Sequence, residues 1–103
     1  MAQIIWTGPA LRDLQGIAEY IALDNLEAAK SVVSKIERRV TRLARFPRTG
    51  SSIPEFEGSR NRQLVEPPCR VFYQIRGDEV YILHVLRFER LLRPSSLDTD
   101  ESP

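Results

Sequence analysis

Apolar residues in this chain change their period once, from helical spacing to strand alternation, and that change leaves few folds open. Leu11, Leu14, Ile17, Ala18 and Ile21 lie on one helical stripe. Leu26, Ala29, Val32, Val33, Ile36, Val40, Leu43 and Ala44 lie on a second. After these come three short β-rich runs, Arg60 to Glu66, Cys69 to Ile75 and Val80 to Arg87. A chain of 103 residues ordered in this way predicts one small α+β domain with a modest core. We expect that domain to span residues 1–93, followed by an acidic, flexible tail over 94–103 that has Leu97 as its one apolar residue.

Local signals set the boundaries. Gln3-Ile4-Ile5-Trp6 reads as a strand, and Thr7 is placed to cap a first helix whose opening turn tolerates Gly8 and Pro9. Asp24 followed by Glu27 resembles a capping box, so the first helix should stop near Leu23 and the second run on to Pro47. So short a connection implies an antiparallel helical hairpin. Residues 48–59 are rich in Gly, Pro and Ser without a period, which predicts an exposed loop. Pro67-Pro68 divides the first two late strands, and Gly77-Asp78 suits a two-residue hairpin turn. That turn would set Ile75 opposite Val80, Tyr73 opposite Ile82 and Val71 opposite His84, giving the hairpin an apolar face for the helices.

The opposite face mixes apolar surface with charge: Arg70, Phe72, Gln74 and Arg76 beside Tyr81, Leu83, Val85 and Arg87. Such a face is either a groove for a partner or ligand, or it is covered by the long loop or the tail. Charge is unevenly spread. The formal net charge is +1, yet residues 38–93 carry twelve arginines against six acids, while residues 1–37 and 94–103 are net acidic. Thirteen of the fifteen basic residues are arginine, whose planar fork suits carboxylate or phosphate.

No apolar run is long enough to suggest a membrane span, no signal-like segment opens the chain, and the single Cys69 cannot form an internal disulfide. The expected compartment is the cytoplasm. Trp6 is expected to anchor the first strand to the helices, His84 to sit at the edge of the core, and Cys69 to be structural. One histidine and one cysteine argue against a metal site, no phosphate-binding glycine loop or nucleophile elbow is present, and no cofactor is expected.

Several segments in order resemble the RelE/ParE superfamily of type II toxins: Trp6-Thr7-x-x-Ala10-Leu11-x-Asp13-Leu14, Leu43-x-x-Phe46-Pro47-x-x-Gly50, Gly58-x-x-x-Arg62-x-Leu64-Val65, and Arg70-Val71-x-Tyr73 followed by Val80-x-Ile82-Leu83. The resemblance implies an N-terminal strand, a helical hairpin and a three-stranded antiparallel meander. It also implies a cognate antitoxin, with DNA contacted only through the antitoxin's operator-binding N-terminal domain. RelE-like members cut messenger RNA on the ribosome with two lysines, two arginines and a tyrosine. Here Arg70 and Arg90 match the arginines, whereas the lysine positions fall on Asn61 and Gln63 and the tyrosine position falls near Ser96.

ParE-like members lack that set and poison DNA gyrase, and this chain is closer to them. It departs from their common Arg-Val-x-His ending of the last strand, reading His84-Val85-Leu86-Arg87 instead. The resemblance implies target contacts through Arg62, Arg70, Arg87 and Arg90, and antitoxin contacts through Arg70, Phe72, Tyr81, Leu83 and Arg87. Arg70 and Arg90 would be the catalytic pair of a metal-independent ribonuclease. A third reading is a non-toxic, antitoxin-bound corepressor.

Overall fold

A computed structural model describes residues 1–90 together with Leu92 and Leu97. The elements are β1 (Gln3–Trp6), α1 (Gly8–Ala22), α2 (Leu26–Arg42), a single 3-10 turn (Pro47–Thr49), β2 (Ser51–Ser52), β3 (Arg62–Glu66), β4 (Cys69–Arg76) and β5 (Glu79–Arg87). They build one sheet in the order β1-β5-β4-β3-β2. β1 runs parallel to β5 and the other pairs are antiparallel. The α+β order read from periodicity is therefore the observed one, with β2 added inside the segment expected to be loop. No helix among the described residues is long and apolar enough to cross a membrane.

Thr7 caps α1 as expected and does a second job. Its Oγ1 accepts the Ala10 N–H at 3.3 Å and donates to the Ile82 carbonyl at 2.7 Å, tying the start of the helix to β5. The cap of α2 is Asn25, whose Oδ1 accepts the Ala28 N–H at 3.0 Å; it is not Asp24. Asp24 is still held in the turn that closes α1, its N–H bonded to the Ile21 carbonyl, so the extended backbone needed for a cap first occurs one residue later. α2 also ends before Pro47. Leu43 is its C-cap, and the N–H groups of Ala44, Arg45 and Phe46 bond back to Thr41 and Arg42.

The main core lies between the hairpin and one face of the sheet, where Ala10, Leu14, Ile36 and Val40 meet Val71, Tyr73, Val80 and Ile82. Trp6 packs against its edge. Leu11 and Leu26, assigned to the apolar stripes by spacing, are 52% and 56% exposed. The line Ala10, Leu14, Ile17 faces the core instead, with the small Ala10 fully buried. Cys69 is wholly enclosed as well.

The hairpin turn at Gly77-Asp78 is as expected, with Gly77 at φ +59 and Ile75 opposite Val80. Beyond Tyr73 and Ile82 the register shifts: Phe72 pairs with His84 and Val71 with Val85, so the expected pairing of Val71 with His84 does not occur. Leu83 is the extra residue of a β-bulge, which turns Val85 rather than His84 into the core. Asp13 on α1 meets this irregularity, its Oδ2 accepting the Val85 N–H at 3.0 Å and lying 2.7 Å from His84 Nδ1.

The second face of the sheet is covered. Ile53 and Leu92 close over Phe72, with Phe56, Leu86 and Leu97 packed alongside. The segment 48–59 is therefore not simply an exposed loop: Gly50 and Ile53 are buried and Ser51–Ser52 pairs with β3. An alternation that leaves Phe72 on the reverse face has to be answered by an apolar cover, and Ile53 supplies it. The flexibility expected of residues 94–103 falls, apart from Leu97, outside the described residues, as does Ser96.

Candidate functional site

An open cleft of about 380 Å³ lies where α1 passes the end of β5. Arg12, Gly16 and Tyr20 line it from α1, four residues apart on one helical face, and Arg87 and Arg90 line it from the other side. Gly16 matters as an absence of side chain, since a Cβ there would meet nothing within 4 Å. Arg87 is held in place twice. Its guanidinium carbon lies 4.0 Å from the centroid of the Tyr20 ring, and Nη1 is 2.8 Å from Glu89 Oε2. Arg90 and Arg12 are exposed, as is Tyr20 at 57%. Asp13, the acid of the cleft lining, is already engaged by His84 and Val85. The cleft thus offers one held and two exposed guanidinium groups beside an aromatic ring, a combination suited to an acidic, partly apolar surface.

The four arginines expected to contact the target do not gather in one place. Arg87 and Arg90 share the cleft. Arg62 sits at the start of β3 and donates from Nη1 to the Gly50 carbonyl at 2.7 Å. Arg70 lies under the 51–60 segment, 14% exposed at its side chain. Its two Nη groups hold both oxygens of Glu55 at 2.9 and 2.8 Å, its Nη1 also reaches Gln63 Oε1 at 3.3 Å, and it stacks over Phe72 at 4.9 Å. The Arg70 hydrogen bond is the main reason the Glu55 carboxyl is held below its ordinary value.

The face expected to meet an antitoxin is likewise not one open surface. Phe72 and Leu83 are buried at 0% and 1% exposure, the first beneath Ile53 and the second in the bulge. Tyr81 remains half-buried, donates to Glu79 Oε1 at 3.0 Å and carries Arg76 over its ring at 4.7 Å. Its hydroxyl pKa is raised, chiefly by that bond to Glu79.

The positions matching the nuclease lysines belong to a buried amide network. Asn61 and Gln63 are each 7% exposed, and Asn61 Oδ1 accepts from Gln74 Nε2 at 2.8 Å. Arg70 and Arg90 line different parts of the molecule, the first clamped by Glu55 and the second in the cleft. Cys69 offers no nucleophile, because burial pushes its thiol up to about 11. The residues that sequence reasoning missed are Arg12, Gly16 and Tyr20. Their i, i+4, i+8 spacing was legible, but only the fold brings that stripe to the end of β5.

Fold and cleft together describe a small α+β protein with an open, arginine-lined cleft beside its first helix. The family model for the ParE toxin of the type II toxin-antitoxin system parDE matches residues 4–92, and the chain belongs to that family. Toxin RelE2 of Caulobacter vibrioides is 29% identical over 91 residues, covering 88% of this chain and 100% of that protein. Toxin ParE3 of the same organism is 29% identical over 87 residues, 84% of this chain and 86% of that protein. Among solved structures, a chain of a chromosomal ParDE toxin-antitoxin system from P. aeruginosa superposes with a TM-score of 0.71 at 30% identity, covering 86% of this chain and 98% of the other.

Proposed function

We propose that this toxin acts in the cytoplasm on DNA gyrase, in the manner of ParE, and that a cognate antitoxin silences it by covering the cleft between α1 and β5. One observation carries the reading. The arginine a ribonuclease would need at its centre, Arg70, is closed off by both oxygens of Glu55, while Arg12, Arg87 and Arg90 stand in an open cleft with Tyr20. The buried amides of Asn61 and Gln63 support it further, because an amide neither moves a proton at neutral pH nor carries charge to a scissile phosphate. The antitoxin follows from the family and from the ParDE assembly to which the chain is similar. An acidic segment with a few apolar side chains matches the arginines and Tyr20.

The test is induced expression without antitoxin, scored together for growth, transcript integrity and supercoiling by purified gyrase. Arrest with intact transcripts and inhibited gyrase is the expected result, and Arg87→Glu should relieve it at equal expression without unfolding the domain. In-frame cut messages with unaffected gyrase would instead make the protein a RelE-like ribonuclease, the reading that similarity to Toxin RelE2 favours. Absence of any arrest would leave the corepressor role.

A further inference from the structure

The solvent side of the helical hairpin carries an open groove of about 290 Å³. Ala18, Glu19 and Ala22 line it from α1, and Leu26, Ala29, Lys30 and Val33 line it from α2. Its floor is apolar and its alanines are small enough for another helix to approach closely. Leucine stands in water at both ends of it: Leu26 beside the groove, and Leu11 two turns below Ala18 on the same stripe of α1, are each more than half exposed. A single exposed leucine is ordinary, whereas leucines bracketing an apolar groove form a surface for another apolar face. The groove is separate from the arginine cleft, because Arg12, Gly16 and Tyr20 lie more than a quarter turn further round α1.

We propose that this groove takes a second copy of the same chain, hairpin against hairpin, to form a two-fold dimer with a four-helix interface. Charge complementarity selects that occupant. Glu19 and Lys30 flank the groove at one level, the acid on α1 and the base on α2. In a two-fold pair whose axis runs along the helices, α1 of each copy lies over α2 of the other, which sets Glu19 over Lys30 of the second copy and repeats the contact by symmetry. The same arrangement seats Leu26 against Ala22 of the second copy. Turning the second copy end over end would instead bring Glu19 to Glu19 and Lys30 to Lys30, which repel. Neither charge is firmly committed within its own chain. Glu19 accepts from Gln15 at 3.3 Å, and Lys30 lies 3.6 Å from Glu27 with both side chains largely in water. Two helices of this length side by side present a face of roughly 20 by 20 Å. A pair of such faces buries about 800–1,200 Å², so the dimer is a weak, concentration-dependent one.

The experiment is sedimentation equilibrium of the full-length toxin from about 1 to about 300 µM, which should show a monomer passing to a dimer across that range. Leu26→Lys, at an exposed position that folding does not need, should leave the protein folded by circular dichroism and monomeric throughout. Glu19→Lys and Lys30→Glu should each weaken the dimer about tenfold, since each sets like charges face to face twice. The double variant Glu19→Lys with Lys30→Glu should restore dimerisation to within about threefold of the parent. Lys35→Glu, a charge change on another exposed face of α2, should leave it unchanged. A parent still monomeric at about 300 µM would overturn the dimer, including the case in which its groove binds only the antitoxin. A dimer that survives Leu26→Lys would overturn the surface, and a double variant as weak as the two single ones would overturn the pairing of Glu19 with Lys30.

Discussion

Substituting Gly50 by alanine should be among the most damaging single changes in this protein, for reasons of space rather than backbone freedom. Gly50 has φ −67 and ψ 156, a conformation open to any residue. What excludes a side chain is Tyr73. An added Cβ would lie 2.5 Å from its Oη and 2.7 Å from both its Cε1 and the Gln63 carbonyl oxygen. Tyr73 cannot easily yield, being fully buried at the centre of the sheet, with its hydroxyl accepting the Gly50 N–H at 2.8 Å and donating to the Pro47 carbonyl at 2.7 Å. Displacing it forfeits two hydrogen bonds at about 1 kcal/mol each and adds overpacking of about 1–3 kcal/mol. The expected loss is about 3–5 kcal/mol, a large share of the ~5–15 kcal/mol that holds a small domain folded.

At this size a kilocalorie shifts Tm by about 4–8 °C, so Gly50→Ala should melt roughly 15–30 °C lower by circular dichroism. Tyr73→Phe is the control: it removes both bonds and leaves the packing, for about 2 kcal/mol. The double variant should recover only part of the alanine cost, since the contacts with Gln63 and the ring carbon remain. A Gly50→Ala protein within about 1 kcal/mol of the parent would refute the steric reasoning.

The Glu55–Arg70 contact should hold the 51–60 segment in place at neutral pH. Because the folded-state pKa of Glu55 is lowered, its contribution is present above the ordinary glutamate value and is lost as pH falls through the depressed one. Amide exchange at Ile53 and Phe56 should accelerate in acid, and in Glu55→Gln already at neutral pH; global stability should change by less than about 1 kcal/mol because Glu55 is partly solvated. Cys69, raised to about 11 by burial, should resist thiol reagents at about pH 8 until the protein is unfolded, as a timed labelling assay would report. Gly16→Ala should stabilise α1 by up to about 1 kcal/mol, whereas Gly16→Phe should fill the cleft and relieve growth arrest in a protein that still melts cooperatively.

Local chemistry was enough to locate the strand at Gln3–Trp6, the Thr7 cap, the helical hairpin and the Gly77-Asp78 turn, because each depends on neighbours a few residues away. Half of the cleft was legible too, since Arg87 and Arg90 lie at the end of the last strand. Arg12, Gly16 and Tyr20 were not: a polar stripe on an amphipathic helix reads as solvated surface until another element is set beside it.

The amino-acid order alone determines an α+β domain of two helices and a late meander, with an arginine-rich second half. Tertiary packing alone decided that Leu83 bulges and shifts the pairing, that Glu55 closes over Arg70, that Ile53 covers Phe72, and that α1 meets the end of β5. Periodicity reports which face of an element is apolar, whereas those four outcomes depend on what arrives opposite that face from residues far away in the chain.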